Sequence, residues 1–189
     1  MTSELDRRAV VAALLKEPGE LLVVAGLGTA TYDVGAVAER SLNFYLWGAM
    51  GGAAMVGLGL ALAQPDRRVL VITGDGEMLM GLGALATIAA QRPQNLAIAV
   101  LDNASYGETG GQQSHTALGV DLAAVATGCG WTHVCRVREA AELDTLRRRL
   151  REEPLFAVIP VSRGEPSRHL PPRDGAFLSS RFRAALGVA

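Results

Sequence analysis

Cysteine is scarce. Cys129 and Cys135 are the only two in 189 residues, and their spacing makes neither a CxxC pair nor a disulfide framework, so reduced thiols in a cytoplasmic protein are expected. Lysine is scarcer still: Lys16 stands alone among 18 basic residues, the rest being arginine. Those 18 face 19 acids, for a net charge of -1 and a pI near 6.3. That balance gives no electrostatic reason to expect nucleic acid or an anionic membrane surface as a partner. An apolar leader is not expected either. The opening MTSELDRRAVVAALLKEPGE has acids within its first six residues and patterns as an amphipathic helix, which argues against a signal peptide.

What is there is apolar and glycine-rich, with 49% hydrophobic residues, 22 glycines and a mean hydropathy of +0.23. Such a chain can bury a sizeable core and is most simply one domain covering 1–189, ending in an irregular arm at about 162–189. The run from Phe44 to Ala63 has no charge and is long enough to span a bilayer, with small residues spaced as in GxxxG. Two features oppose a membrane helix. The run's glycines suit lipid poorly, and Arg67-Arg68 lead straight into VLVITGDG, a strand pattern that needs a sheet to join. A helix buried between a sheet and a partner protein accounts for the same apolarity.

Strand-length apolar runs alternate with helical patterns. The strands are LLVVAG (21–26), VLVITG (69–74), LAIAVLD (96–102), THVCRV (132–137) and LFAVIPV (155–161). Helices are predicted at about 4–16, 49–63, 77–91, 120–128 and 139–152, with a short one near 176–186. This alternation predicts an α/β fold: three layers, α/β/α, around a mostly parallel sheet of five or six strands. In the 139–152 helix the arginines at 147–149 and 151 read as a solvated face, and Pro154 stops it.

The most informative segment is Gly74-Asp75-Gly76-Glu77, followed by an apolar helix and a strand ending in Asp102-Asn103. Asp75 and Asn103 stand 28 positions apart, the separation needed by a strand end, a crossover helix and a neighbouring parallel strand. Both side chains are therefore expected at the carboxyl edge of the sheet, where open α/β folds place ligands. A carboxylate and an amide oxygen are hard donors suited to Mg²⁺, which usually completes its shell with phosphate and water. Gly74 and Gly76 let backbone approach a phosphate. The turn Tyr106-Gly107-Glu108-Thr109-Gly110-Gly111 follows at once and could line the same pocket. Alone, a GDG is usually a turn and an Asn a loop residue bonding its own backbone; the joint pattern is more specific.

That pattern resembles the diphosphate-binding motif of thiamine diphosphate enzymes, GDG followed by Asn at about this separation. Trp47-Gly48-Ala49-Met50-Gly51 resembles the family's segment ahead of a buried helix, and 81–116 is similar to the decarboxylase branch that includes sulfopyruvate and phosphonopyruvate decarboxylases. The resemblance covers about 20–185 and is strongest over 48–116. It implies a thiamine diphosphate- and Mg²⁺-binding subunit of a 2-oxo acid decarboxylase. By matching position, Asp75 and Asn103 would be Mg²⁺ ligands with the Ser105 carbonyl as a third. Gly76 and Glu77 would offer amides to the diphosphate, and Gly28-Thr29 would contact it from the other side. Met50, which alone reads as core packing, would be the apolar wedge that bends the cofactor. The thiazolium would accept the electrons released as CO₂ departs.

The family's activating glutamate lies on a separate pyrimidine-binding domain, and no glutamate here has the context for that role. The resemblance thus implies a second subunit that completes the active site. His115 could transfer a proton near the substrate, although an exposed loop histidine is the plainer reading. A sulfonate or phosphonate substrate would want a cationic clamp, and none is obvious near the motif, which leaves open whether this chain or the partner binds that anion. Two alternatives stay open: a carboligase or 2-oxo acid oxidoreductase subunit of the same cofactor family, or a non-catalytic nucleotide-binding module. Against the last, Gly26-Leu27-Gly28-Thr29-Ala30-Thr31 lacks the final glycine of GxGxxG.

Overall fold

The computed structural model describes residues 4–164 and 166–188. In chain order the first half contains α1 (Arg7–Leu14), β1 (Leu22–Ala25), α2 (Thr29–Val37), β2 (Asn43–Tyr45), α3 (Ala53–Ala63), β3 (Val69–Gly74), α4 (Asp75–Met80), α5 (Ala84–Gln91) and β4 (Leu96–Asp102). A small hairpin follows, β5 (Ser105–Tyr106) and β6 (Gln112–Gln113), and then α6 (Leu122–Gly128), β7 (Val134–Arg136), α7 (Leu143–Glu152), β8 (Leu155–Pro160) and α8 (Gly175–Leu186).

Six strands form one parallel sheet in the order β2-β1-β3-β4-β8-β7. The four central strands read as continuous Val, Ile, Leu and Ala, and every residue in them is buried except the last of β3, β4 and β8. Helix-covered faces require this pattern. Alternate residues divide the core in two. Val23, Leu70, Ile72 and Ala99 pack with α1, α2 and α7, while Val24, Val71, Ile98 and Phe156 pack with α3, α5 and α6. Helix α8 closes the β2 edge, with Leu178 in the first cluster and Phe182 in the second.

Several expectations are corrected. The helix predicted at 49–63 starts later, at Ala53, and the uncharged run 44–63 opens in strand β2 and a turn before it. Among the described residues no helix is long and apolar enough to cross a membrane. The predicted helix 77–91 is two helices, because the chain must pass Gly51 closely at Gly81, where a β-carbon would lie 2.2 Å from the Gly51 carbonyl oxygen. Strand β2 and helix α2 were not expected. The strand is only three residues long, and α2 has Gly35 and β-branched residues where helix formers are usual. Arginines 147, 149 and 151 do not form a free solvated face. Arg147 pairs with Asp144, Arg149 with Glu153, and Arg151 donates to the Lys16 carbonyl at 2.6 Å, tying α7 to the end of α1.

Candidate functional site

Parallel pairing of β3 with β4 sets Gly74 opposite Leu101, so the two strands release their chains side by side at the carboxyl edge. Asp75 and Asn103 meet there: the Asn103 N–H donates to Asp75 Oδ1 at 3.3 Å. The Asp75 carboxylate is buried, and its other oxygen accepts from the Ser114 hydroxyl and lies 3.3 Å from Thr116 Oγ1. Burial pushes its pKa up, Ser114 opposes this, and nearby Asp102 adds to it. A carboxylate offers about four acceptor positions, so three donors leave room for a cation. Asn103 Oδ1 accepts from the Ser105 N–H at 3.1 Å in a local turn and keeps a second lone pair. Ser114 and Thr116 were not anticipated, since nothing in QSHT marks a hydroxyl as facing a carboxylate 39 or more positions away.

Glu77 acts through its side chain as well as lying on the turn. It is 4% exposed, and its carboxylate accepts from Thr73 Oγ1 at 2.8 Å and from the Ala53 N–H at 3.3 Å, with further bonds from the backbone of Gly51 and Leu27. One buried acid therefore joins the end of β3, the loop after β1 and the start of α3. Burial raises its pKa against these hydrogen bonds. The bond at Ala53 also ties down the preceding turn, and Met50 lines the cleft together with Asn103. Gly48 lies on that turn but not on the cleft wall.

The cleft between Met50, Gly74–Glu77 and Asn103–Glu108 holds only about 30 Å³. The Tyr106 ring lies over Gly76, where a β-carbon would come within 2.6 Å of it, and its hydroxyl pairs with His115 Nδ1 at 2.8 Å. His115 thus reaches the site through Tyr106 and does not itself line it. Thr29, Asn103, Ser105, Gly107 and Glu108 also wall a second, larger cavity of about 560 Å³. Gly28, with φ of +79°, caps α2 without a side chain, and a β-carbon there would strike Glu108. Glu108 accepts a 3.2 Å hydrogen bond from Tyr32, whose pKa is raised by burial and then by that carboxylate.

Cationic groups do stand near the motif, although none is obvious there in the sequence. Arg7, Arg163 and Arg168 line the larger cavity. Their positions in sequence, at the start of α1 and on the proline-rich arm, gave no sign of it; only the return of the chain from β8 across the top of the sheet brings them there.

The glycines of the Gly74–Glu77 turn, an all-oxygen pair at adjacent strand ends and the Met50 side chain lining the same cleft fit a magnesium-held diphosphate. The thiamine pyrophosphate enzyme C-terminal TPP binding domain matches residues 26–161. The chain belongs to that family. As a thiamine pyrophosphate-binding domain it is 38% identical over 161 residues to "Sulfopyruvate decarboxylase subunit beta" of Methanothermobacter thermautotrophicus, covering 85% of this chain and 84% of the relative. It is 41% identical over 184 residues to "Phosphonopyruvate decarboxylase" of Streptomyces hygroscopicus, covering 96% of this chain but 41% of that one. Benzoylformate decarboxylase from Polynucleobacter necessarius shares the fold, with a TM-score of 0.70 at 19% identity over 86% of this chain and 34% of that one.

Proposed function

We propose that this chain is the cofactor-binding subunit of a thiamine diphosphate-dependent 2-oxo acid decarboxylase acting on a sulfopyruvate- or phosphonopyruvate-like acid. The observation that carries it is the meeting of Asp75 and Asn103 beside the Gly74–Glu77 turn in a chain of this family. Asp75, Asn103 and the Ser105 carbonyl would hold Mg²⁺, and the amides of Gly76 and Glu77, with Gly28 and Thr29 opposite, would receive the diphosphate. When bound, the cofactor supplies an electron sink for the carbanion left by CO₂. The chain's own part is positional. Glu77 holds the Met50 turn beside the cradle, and Met50 would offer the bound cofactor an apolar surface. Tyr106 covers Gly76 and must swing aside for a diphosphate to enter, a movement its exposed glycine-rich loop can accommodate.

The active site is completed by a second, pyrimidine-binding subunit. The name of the relative that this chain covers over most of its length supports this, as does the outer side of α3 and α4, where Met55, Leu62 and Met80 are 42%, 53% and 57% exposed. The two free cysteines suit a cytoplasmic setting. The test is to titrate the purified chain with thiamine diphosphate and Mg²⁺, then assay it on sulfopyruvate and phosphonopyruvate with and without a co-expressed pyrimidine-binding subunit. Cofactor binding with turnover only in the mixture is expected. Failure to bind the cofactor removes the reading, and turnover by the chain alone removes the need for a partner.

A further inference from the structure

The described residues of the Ser162–Asp174 arm have no regular structure before α8, yet the arm is pinned at several points. Arg163 donates to the Asn103 and Ala104 carbonyls at 3.2 and 2.8 Å, Arg8 donates to the Ser167 carbonyl at 2.9 Å, and Trp47 Nε1 donates to the Pro172 carbonyl at 2.9 Å. The arm is thereby fastened to the Asn103 loop, to α1 and to the turn carrying Met50. Pinning sets where its arginines stand. Arg168 lies over the Tyr32 ring at 5.8 Å, and Arg163 and Arg168 both face the 560 Å³ cavity. Among the described residues neither has a carboxylate within ion-pairing distance.

The third arginine is prepared from behind. Asp33 is fully buried and pairs with Arg7 and Arg8 together, so one carboxylate faces two guanidinium groups. Only Nε of Arg7 is engaged by Asp33, and the same residue forms part of the cavity wall. Helix α2 also starts at Thr29 on this wall, and its glycine cap supplies no acceptor to its first amides. Against these groups the wall carries, among the described residues, a single acid, Glu108, which is occupied by Tyr32. A chain of net charge -1 thus gathers three arginines around one cavity that shares Asn103 and Ser105 with the proposed Mg²⁺ site.

We propose that Arg7, Arg163 and Arg168 form an oxyanion subsite on this chain, beside the cofactor cradle, that takes a tetrahedral phosphonate, sulfonate or phosphate group. Guanidinium groups bind such anions by paired N–H donors at fixed geometry. This rests on the cofactor reading above and gives its distal anion a place. Two sources share the chemistry: the far end of a dianionic 2-oxo acid and the terminal phosphate of the cofactor.

Calorimetric titration of the full chain with phosphonoacetate, and separately with thiamine diphosphate plus Mg²⁺, distinguishes them. Arg168→Gln carries the test, because among the described residues Arg168 contacts the Tyr32 ring and no hydrogen-bond partner, whereas Arg163 also holds the Asn103 loop; Arg148→Gln, on the exposed side of α7, controls for net charge. The expected result is phosphonoacetate binding weakened about tenfold or more by Arg168→Gln and partly restored by Arg168→Lys. Unchanged thiamine diphosphate binding then identifies the substrate as the source of the anion, and equal weakening of thiamine diphosphate identifies the cofactor. If Arg168→Gln weakens neither ligand more than Arg148→Gln, or the unaltered chain ignores phosphonoacetate at millimolar concentration, the subsite is overturned. An unaltered chain that binds thiamine diphosphate but no phosphonoacetate keeps the cofactor reading and loses only the subsite.

Discussion

Gly26 and Glu77 are in direct contact across the top of the sheet: a β-carbon on Gly26 would lie 1.7 Å from Glu77 Oε2 and 2.9 Å from Thr73 Oγ1. The space that a side chain would take is occupied by the acid that joins the β1 loop, β3 and α3. Gly26→Ala therefore displaces the Glu77 carboxylate from Thr73 and Ala53. Overpacking of this kind costs about 1–3 kcal/mol, seen as a fall in thermal midpoint of about 2–4 °C per kcal/mol in a chain of this size. Because Met50 hangs from the same junction, thiamine diphosphate affinity should fall as well. An unchanged midpoint and affinity would show that Glu77 has another place to go.

Asp75→Ala removes the carboxylate that the proposed reading assigns to Mg²⁺. Loss of a charge-assisted metal contact predicts at least a tenfold weaker Mg²⁺-dependent binding of thiamine diphosphate, measured by calorimetry. Chelation with EDTA should weaken the unaltered chain and leave the variant almost unaffected, since the variant has already lost the cation. Ser114 and Thr116 lose an acceptor in the same variant, so circular dichroism must confirm the fold before the affinity is interpreted.

How far the sequence foretold this site depends on distance along the chain. Asp75 and Asn103 were legible because a single strand–helix–strand crossover fixes where both ends arrive. The parallel sheet was legible from its unbroken apolar strands. Ser114 and the three arginines were not, because their roles depend on return paths between elements far apart in sequence, and no local period records those. Glu77 is an intermediate case. The sequence places it at the turn that ends β3, but the destination of its side chain follows from Gly26 having no side chain, a relation between two distant segments that pattern cannot supply. The apolar stretch at 44–63 misled for the opposite reason: hydropathy averages over a strand, a turn and a helix that each bury apolar residues differently.

Cys135 is half-buried beside Arg149, and burial pushes its thiol pKa above the ordinary value even though Arg149 pulls the other way. For an acid of raised pKa the folded state holds the proton more firmly than the unfolded state. Its contribution to stability is complete below the unfolded value and is lost as pH rises through the folded one. Iodoacetamide should therefore modify Cys135 more slowly than a free thiol near pH 8, followed by mass spectrometry, and the rate should climb as the pH is raised further. Modification at the free-thiol rate at neutral pH would contradict the shift.

Two glycines on α3 separate packing from propensity. A β-carbon on Gly57 would stand 2.3 Å from Val71 Cγ2, whereas one on Gly59 meets nothing within 4 Å. Gly57→Ala must push α3 off β3 and is expected to cost about 1–3 kcal/mol. Gly59→Ala restricts the unfolded chain and improves helix propensity without a clash, so it should stabilise by about 0.5–1 kcal/mol. Denaturant melts of the isolated chain read both signs. The second variant also probes the outer side of α3, where Met55 and Leu62 are exposed. If a partner packs there as closely as β3 does on the inner side, Gly59→Ala will stabilise the isolated chain and yet weaken the complex. A variant neutral in both states would place the partner elsewhere.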